Sequence, residues 1–108
     1  MDMRQESAHY FFDRQTDGLS FDLGDASECT SSESLASGVT LHVDHRGRPL
    51  MLEIQGASKL IDTKGLSSHR ATPITWDEIA LRMRSTLDGE QIWQTIVRRV
   101  LMPSLIQT

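Results

Sequence analysis

Residues 39–54 constrain the fold most. Val39, Leu41 and Val43 alternate with Thr40, His42 and Asp44, and Leu50, Leu52 and Ile54 alternate with Met51, Glu53 and Gln55. Successive side chains of an extended strand point to opposite faces, so each run predicts a strand with one apolar and one polar side. Residues opposite one another across a hairpin share a face. Pairing Val43 with Leu50, Leu41 with Leu52 and Val39 with Ile54 gathers all six apolar side chains on one side. That register leaves Arg46-Gly47 at the tip, where glycine takes up a positive φ. It sets Pro49 opposite Asp44, at a strand start, where a missing N–H does least harm. On the polar side His42 falls opposite Met51, and Thr40 opposite Glu53.

Two earlier runs extend the sheet. Tyr10-Phe11-Phe12 reads as a first strand, and Leu19, Phe21 and Leu23 alternate with polar residues as a second. The intervening Asp13–Gly18 stretch ends in Asp17-Gly18, a turn signal. The link from Gly24 to Ser37 is rich in serine and glutamate and reads as a mobile loop. Ala57 to Ile61 predicts one helical turn, and residues 62–74, with Gly65 and Pro73, a linker.

Thr75-Trp76-Asp77-Glu78 fits a capping box opening a helix whose apolar stripe is Ile79, Met83 and Leu87, with Trp76 and Ala80. Asp88-Gly89-Glu90-Gln91 is read as ending that helix and capping the next, and Met102-Pro103 as stopping the second. The prediction is an α+β protein: a four-stranded antiparallel meander packed by a short helix and two C-terminal helices. Residues 1–61 form the sheet, 62–74 the linker, and 75–108 a helical hairpin on the same domain. The length of 108 residues suits one domain of about 100–150 residues.

Phe12-Asp13, Asp17-Gly18-Leu19-Ser20-Phe21, Gly38-Val39-Thr40-Leu41, Asp44, Gly47-Arg48, Leu50-Met51-Leu52-Glu53-Ile54 and Ala57-Ser58 together resemble the DUF2283 family of small bacterial proteins of unknown function. The resemblance spans residues 9–61. Met51 stands where that family usually has glycine, and Gly56 where an acid is common. The resemblance implies a small antiparallel sheet backed by a helix, and it supplies neither a reaction nor a ligand.

Composition narrows the function classes. The formal net charge of −4 gives no general drive toward nucleic acid or an anionic membrane. Residues 1–34 hold eight acids against two bases, and residues 71–108 hold four of each. The balanced C-terminal charge makes a poor footprint for DNA, although Glu78-Ile79-Ala80 and Arg98-Arg99 invite a helix-turn-helix reading. No apolar stretch reaches the ~18–20 residues of a membrane span. The single Cys29 excludes a disulfide framework and fits a cytoplasmic location. Phosphate-loop, nucleophile-elbow and zinc-protease motifs are absent, so neither an enzyme nor a cofactor is expected.

Two groups of residues stand out. On the polar sheet side, Asp22, His42 and Glu53 carry the residue types needed for metal binding or acid–base work, set against the plainer reading of a solvated sheet face. On the second C-terminal helix, Trp93, Ile96, Val97, Val100 and Leu101, with Ile92, cover about half the circumference, more than the ~100° stripe needed to pack one sheet. That excess predicts an interface, and a homodimer as its commonest form. The function expected is therefore a non-enzymatic interaction module that self-associates. The alternatives are an antitoxin-like or regulatory partner of a basic protein, docking on the acidic front half, and a small enzyme or ligand carrier with an unrecognised site.

Overall fold

Among the described residues, six strands form one antiparallel sheet in the order β3-β4-β5-β2-β1-β6. They are β1 (Ser7–Asp13), β2 (Gly18–Asp22), β3 (Ser31–Ala36), β4 (Val39–Val43), β5 (Pro49–Gln55) and β6 (Thr72–Thr75). A 3₁₀ turn (Ala57–Lys59) follows β5. The helices are α1 (Trp76–Arg82) and α2 (Leu87–Ile96), the latter continuing into a π-helical turn (Val97–Leu101). This is a computed structural model describing residues 7–24, 28–68 and 70–101.

The β4–β5 hairpin keeps the face-matched register over most of its length. Val39 opposes Ile54, Thr40 opposes Glu53, Leu41 opposes Leu52 and His42 opposes Met51. The tip differs from the expectation. The register shifts after His42, so Val43 opposes Pro49 rather than Leu50. A buried carboxylate accounts for the tighter turn. Asp44 Oδ1 accepts from the backbone N–H groups of Arg46 and Arg48, each at 2.9 Å, and Oδ2 from Arg48 Nε at 2.8 Å. Gly47 takes the expected positive φ, 78°.

The four-strand expectation is corrected to six strands, and the strand order changes. β2 pairs with β5, not β4, setting Leu19 opposite Ile54 and Phe21 opposite Leu52. β1 continues the rows, Phe12 opposite Leu19 and Tyr10 opposite Phe21. Two apolar rows thus cross four strands: Val39, Ile54, Leu19, Phe12 and Leu41, Leu52, Phe21, Tyr10. All eight side chains are buried. A one-residue slip of any strand would turn its apolar set to solvent, which pins the register.

The two strands absent from the sequence reading lie at the edges. β3 falls inside the supposed mobile loop, and only its Leu35 and Ala36 pack against the core. β6 overlaps the end of the supposed linker and takes in Thr75, the expected helix cap. Its Pro73 is exposed at the sheet edge, where a residue without an N–H is tolerated. Its Ile74 is buried opposite Ala8. The described part of residues 62–74 is packed rather than loose. Leu66 is buried, Tyr10 Oη accepts from Ser67 N at 2.9 Å, and Arg82 Nη1 donates to the carbonyls of Asp62 and Lys64 at 2.9 and 2.7 Å.

The helix boundaries also move. Thr75 Oγ1 caps α1 by accepting from Glu78 N at 3.1 Å, while the Glu78 carboxylate turns to Arg82 Nε at 3.1 Å. Only half of the capping box forms. α1 stops at Arg82 because Met83 is extended and bridges to Ile61. Ile79, Met83 and Leu87 therefore do not share one helix. Thr86, not Asp88-Gly89-Glu90-Gln91, caps α2, its Oγ1 accepting from Gly89 N at 3.0 Å. Gly89 packs against the preceding turn so closely that a methyl group there would overlap the Arg84 carbonyl oxygen. The Met102-Pro103 stop lies outside the described residues.

Candidate functional site

The register defines the polar face of the sheet. Ser32 (β3), His42 (β4), Met51 (β5), Asp22 (β2) and His9 (β1) form one cross-strand row. Ser34, Thr40, Glu53, Ser20 and Phe11 form the next. Because β5 lies between β4 and β2, Met51 separates Asp22 from His42. The expected Asp22, His42, Glu53 trio is therefore corrected to a pair, with Asp22 elsewhere. Asp22 instead lines a shallow open depression of about 460 Å³ with His9, Phe11, Ser20 and Met51.

A different partner takes its place. His42 Nε2 lies 2.6 Å from Glu53 Oε1, and His42 Nδ1 lies 2.8 Å from Ser32 Oγ. In the neutral imidazole whose Nε2–H donates to the Glu53 carboxylate, Nδ1 is left as acceptor for the Ser32 hydroxyl. Cys29 adds a thiol, with Sγ 3.8 Å from the same Nδ1 and 3.4 Å from the Ser31 carbonyl oxygen. The histidine and glutamate side chains are 23% and 39% exposed, so the chain Ser32–His42–Glu53 runs along an open surface. Among the described residues, no group of three or more His, Cys, Asp or Glu side chains is placed to hold a metal ion. Sequence reasoning missed Ser32 and Cys29 because both lie in the stretch read as a loop.

Asp44 is the one group among those described whose protonation is clearly perturbed. Hydrogen bonding by the Arg48 backbone N–H, aided by Arg46 N–H and the Arg48 guanidinium, holds its carboxyl below the usual 3.8 despite burial. Its role is to build the hairpin tip.

α2 supplies the second candidate surface. Ile92, Ile96 and Val100 are buried in the chain's own core. Ile96 and Val100 are thus unavailable as free interface residues, a correction to the sequence reading. Trp93, Val97 and Leu101, at intervals of four, are only half-buried along the helix flank, Trp93 and Leu101 packing in part against the core. Glu90, Gln94 and Arg98, also at intervals of four, are exposed beside them. Arg99 pairs with Glu33 of β3, tying the π-helical turn to the sheet edge.

These features define an α+β protein with a six-stranded antiparallel sheet, its apolar face covered by two helices and its polar face open. Among the described residues no helix is long and apolar enough to cross a membrane. No protein-family model, curated protein or solved structure matches the chain.

Proposed function

We propose that this is a cytoplasmic interaction module that self-associates as a two-fold homodimer through the outer flank of α2, without enzymatic turnover. The half-buried row of Trp93, Val97 and Leu101 carries this reading, because it remains partly open after Ile92, Ile96 and Val100 have filled the core. Partly exposed apolar surface rimmed by charge is the usual anatomy of an interface.

The charge pattern favours a second copy as the occupant. α2 is acidic in its first turn, at Asp88 and Glu90, and the π-helical turn carries Arg98 and Arg99. Two such helices packed antiparallel about a two-fold axis near Gln94 oppose Glu90 of one copy to Arg98 of the other. The acidic front half gives the regulatory-partner alternative less support, since Asp17 is engaged by Ser58 and Glu33 by Arg99. The proposed kinship of residues 9–61 with the DUF2283 family draws support from the link between Asp17 and Ala57-Ser58. There Ala57 N donates to the Asp17 carbonyl at 2.8 Å and Ser58 Oγ to Asp17 Oδ2 at 2.6 Å.

Sedimentation of charge-reversed variants tests the dimer. Glu90→Arg and Arg98→Glu should each shift the protein to monomer, and the double variant should restore the dimer. Val97→Asp should give a folded monomer. A monomeric native chain at high micromolar concentration would refute self-association.

A further inference from the structure

The polar sheet face carries chemistry that the interface reading does not use. Ser32, His42 and Glu53 sit on three adjacent strands and are hydrogen-bonded in sequence at 2.8 and 2.6 Å. A nucleophile within hydrogen-bond reach of a base, itself oriented by a third group, is the geometric signature of an activated hydroxyl. With Glu53 accepting from Nε2–H, His42 Nδ1 points its lone pair at the Ser32 hydroxyl. We propose that Ser32 is an acyl-acceptor site for small activated esters, with His42 as the general base and Glu53 as the residue that positions it.

The step is an acyl transfer. Ser32 Oγ attacks the carbonyl carbon of the ester while its proton passes to His42 Nδ1. The Oγ–carbon bond forms, the bond from the acyl carbon to the leaving oxygen breaks, and the alcohol departs with the proton returned by the imidazolium. The products are O-acyl Ser32 and the free alcohol, and no oxidant or further reactant is needed.

The geometry also decides the fate of the acyl group. Ser32 is exposed, and the face around it is open. An open surface holds no hydrolytic water in place and offers no pocket to bind a substrate for repeated turnover. The expected outcome is therefore a persistent acyl-serine on the protein, which is a modification and not turnover. Ser34 provides an internal control. It lies two residues along β3 opposite Thr40, and its Oγ donates to the Ala36 carbonyl at 3.2 Å rather than to an imidazole.

The experiment treats the full chain with p-nitrophenyl acetate and locates the acetyl groups by tandem mass spectrometry. Acetylation of Ser32 should outrun that of Ser34 by about 100-fold, the scale of general-base assistance. His42→Ala should collapse that ratio to near unity. Glu53→Gln should lower it about tenfold with unchanged circular dichroism, an effect that a purely structural role for Glu53 would not produce. Cys29 lies close enough to the same nitrogen to compete. In Cys29→Ala the Ser32 label should persist. Equal labelling of Ser32 and Ser34, a ratio unaffected by His42→Ala, or loss of the Ser32 label in Cys29→Ala would each overturn the proposal.

Discussion

β5 and β3 lie two strands apart in the same sheet and are held there for different reasons. β5 is central, and its Leu50, Leu52 and Ile54 are all buried. β3 is at the edge, reads Ser-Ser-Glu-Ser-Leu-Ala, and has no fully buried residue. Side-chain burial specifies the position of β5. β3 is placed mainly by its backbone ladder to β4, by the contacts of Leu35 and Ala36, and by the ion pair of Glu33 with Arg99. A polar, bulged edge strand also discourages unwanted sheet extension. The contrast shows that a strand can be essential to a site without being marked by hydrophobic pattern.

Truncation should separate the two strands most strongly. Leu52→Ala, at a fully buried position, should cost about 2–5 kcal/mol in denaturant unfolding. Leu35→Ala, at the half-buried edge, should cost about 1 kcal/mol. Similar losses at the two sites would show that β3 is as tightly specified as β5.

The hairpin tip comes next. Gly47→Val places a β-branched residue at φ 78° in otherwise open space, so backbone strain is the whole effect. Its expected cost is about 1–2 kcal/mol, read as a lower melting temperature. An unchanged melting temperature would mean that the tip relaxes without disturbing β5.

Asp44 sharpens the same comparison through pH. Its folded-state carboxyl titrates below its ordinary 3.8, so the ionised form is favoured by folding. The stabilisation it gives is fully present above the ordinary value and is lost as pH falls through the lower folded one. Asp44→Asn should lower stability at neutral pH and flatten the acid limb of the stability curve. Melting temperatures measured from neutral pH down to about pH 3 check this.

The smallest effect is expected where the two regions meet. His42 joins β3 to β5 through Ser32 and Glu53 on a partly solvated face, so His42→Ala should change stability by under about 0.5 kcal/mol. A larger loss would mean that this hydrogen-bonded chain anchors β3 structurally.

Much of the sheet is legible in residue order alone. The alternation in 39–42 and 51–54 dictates the hairpin, its faces and the pairing of His42 with Met51, because a slip there would expose the apolar set; the one-residue shift at Val43 was not legible. The β1–β2 turn and the Thr75 cap are equally local, although the turn spans residues 14–17, Asp17 rather than Gly18 takes the positive φ, and Gly18 already lies in β2, paired with Asp13. Three decisions were tertiary. The pairing of β2 with β5, which parts Asp22 from His42, depends on which apolar strand edges meet, and both choices satisfy the pattern. The ends of α1 and α2 were set by Met83 reaching Ile61 and by Gly89 fitting under Arg84, contacts between segments that carry no local signal. The Ser32–His42–Glu53 chain exists only because a serine-rich segment is recruited as an edge strand. Backbone hydrogen bonding, which is blind to side-chain type, places that strand, so residue order alone did not reveal it.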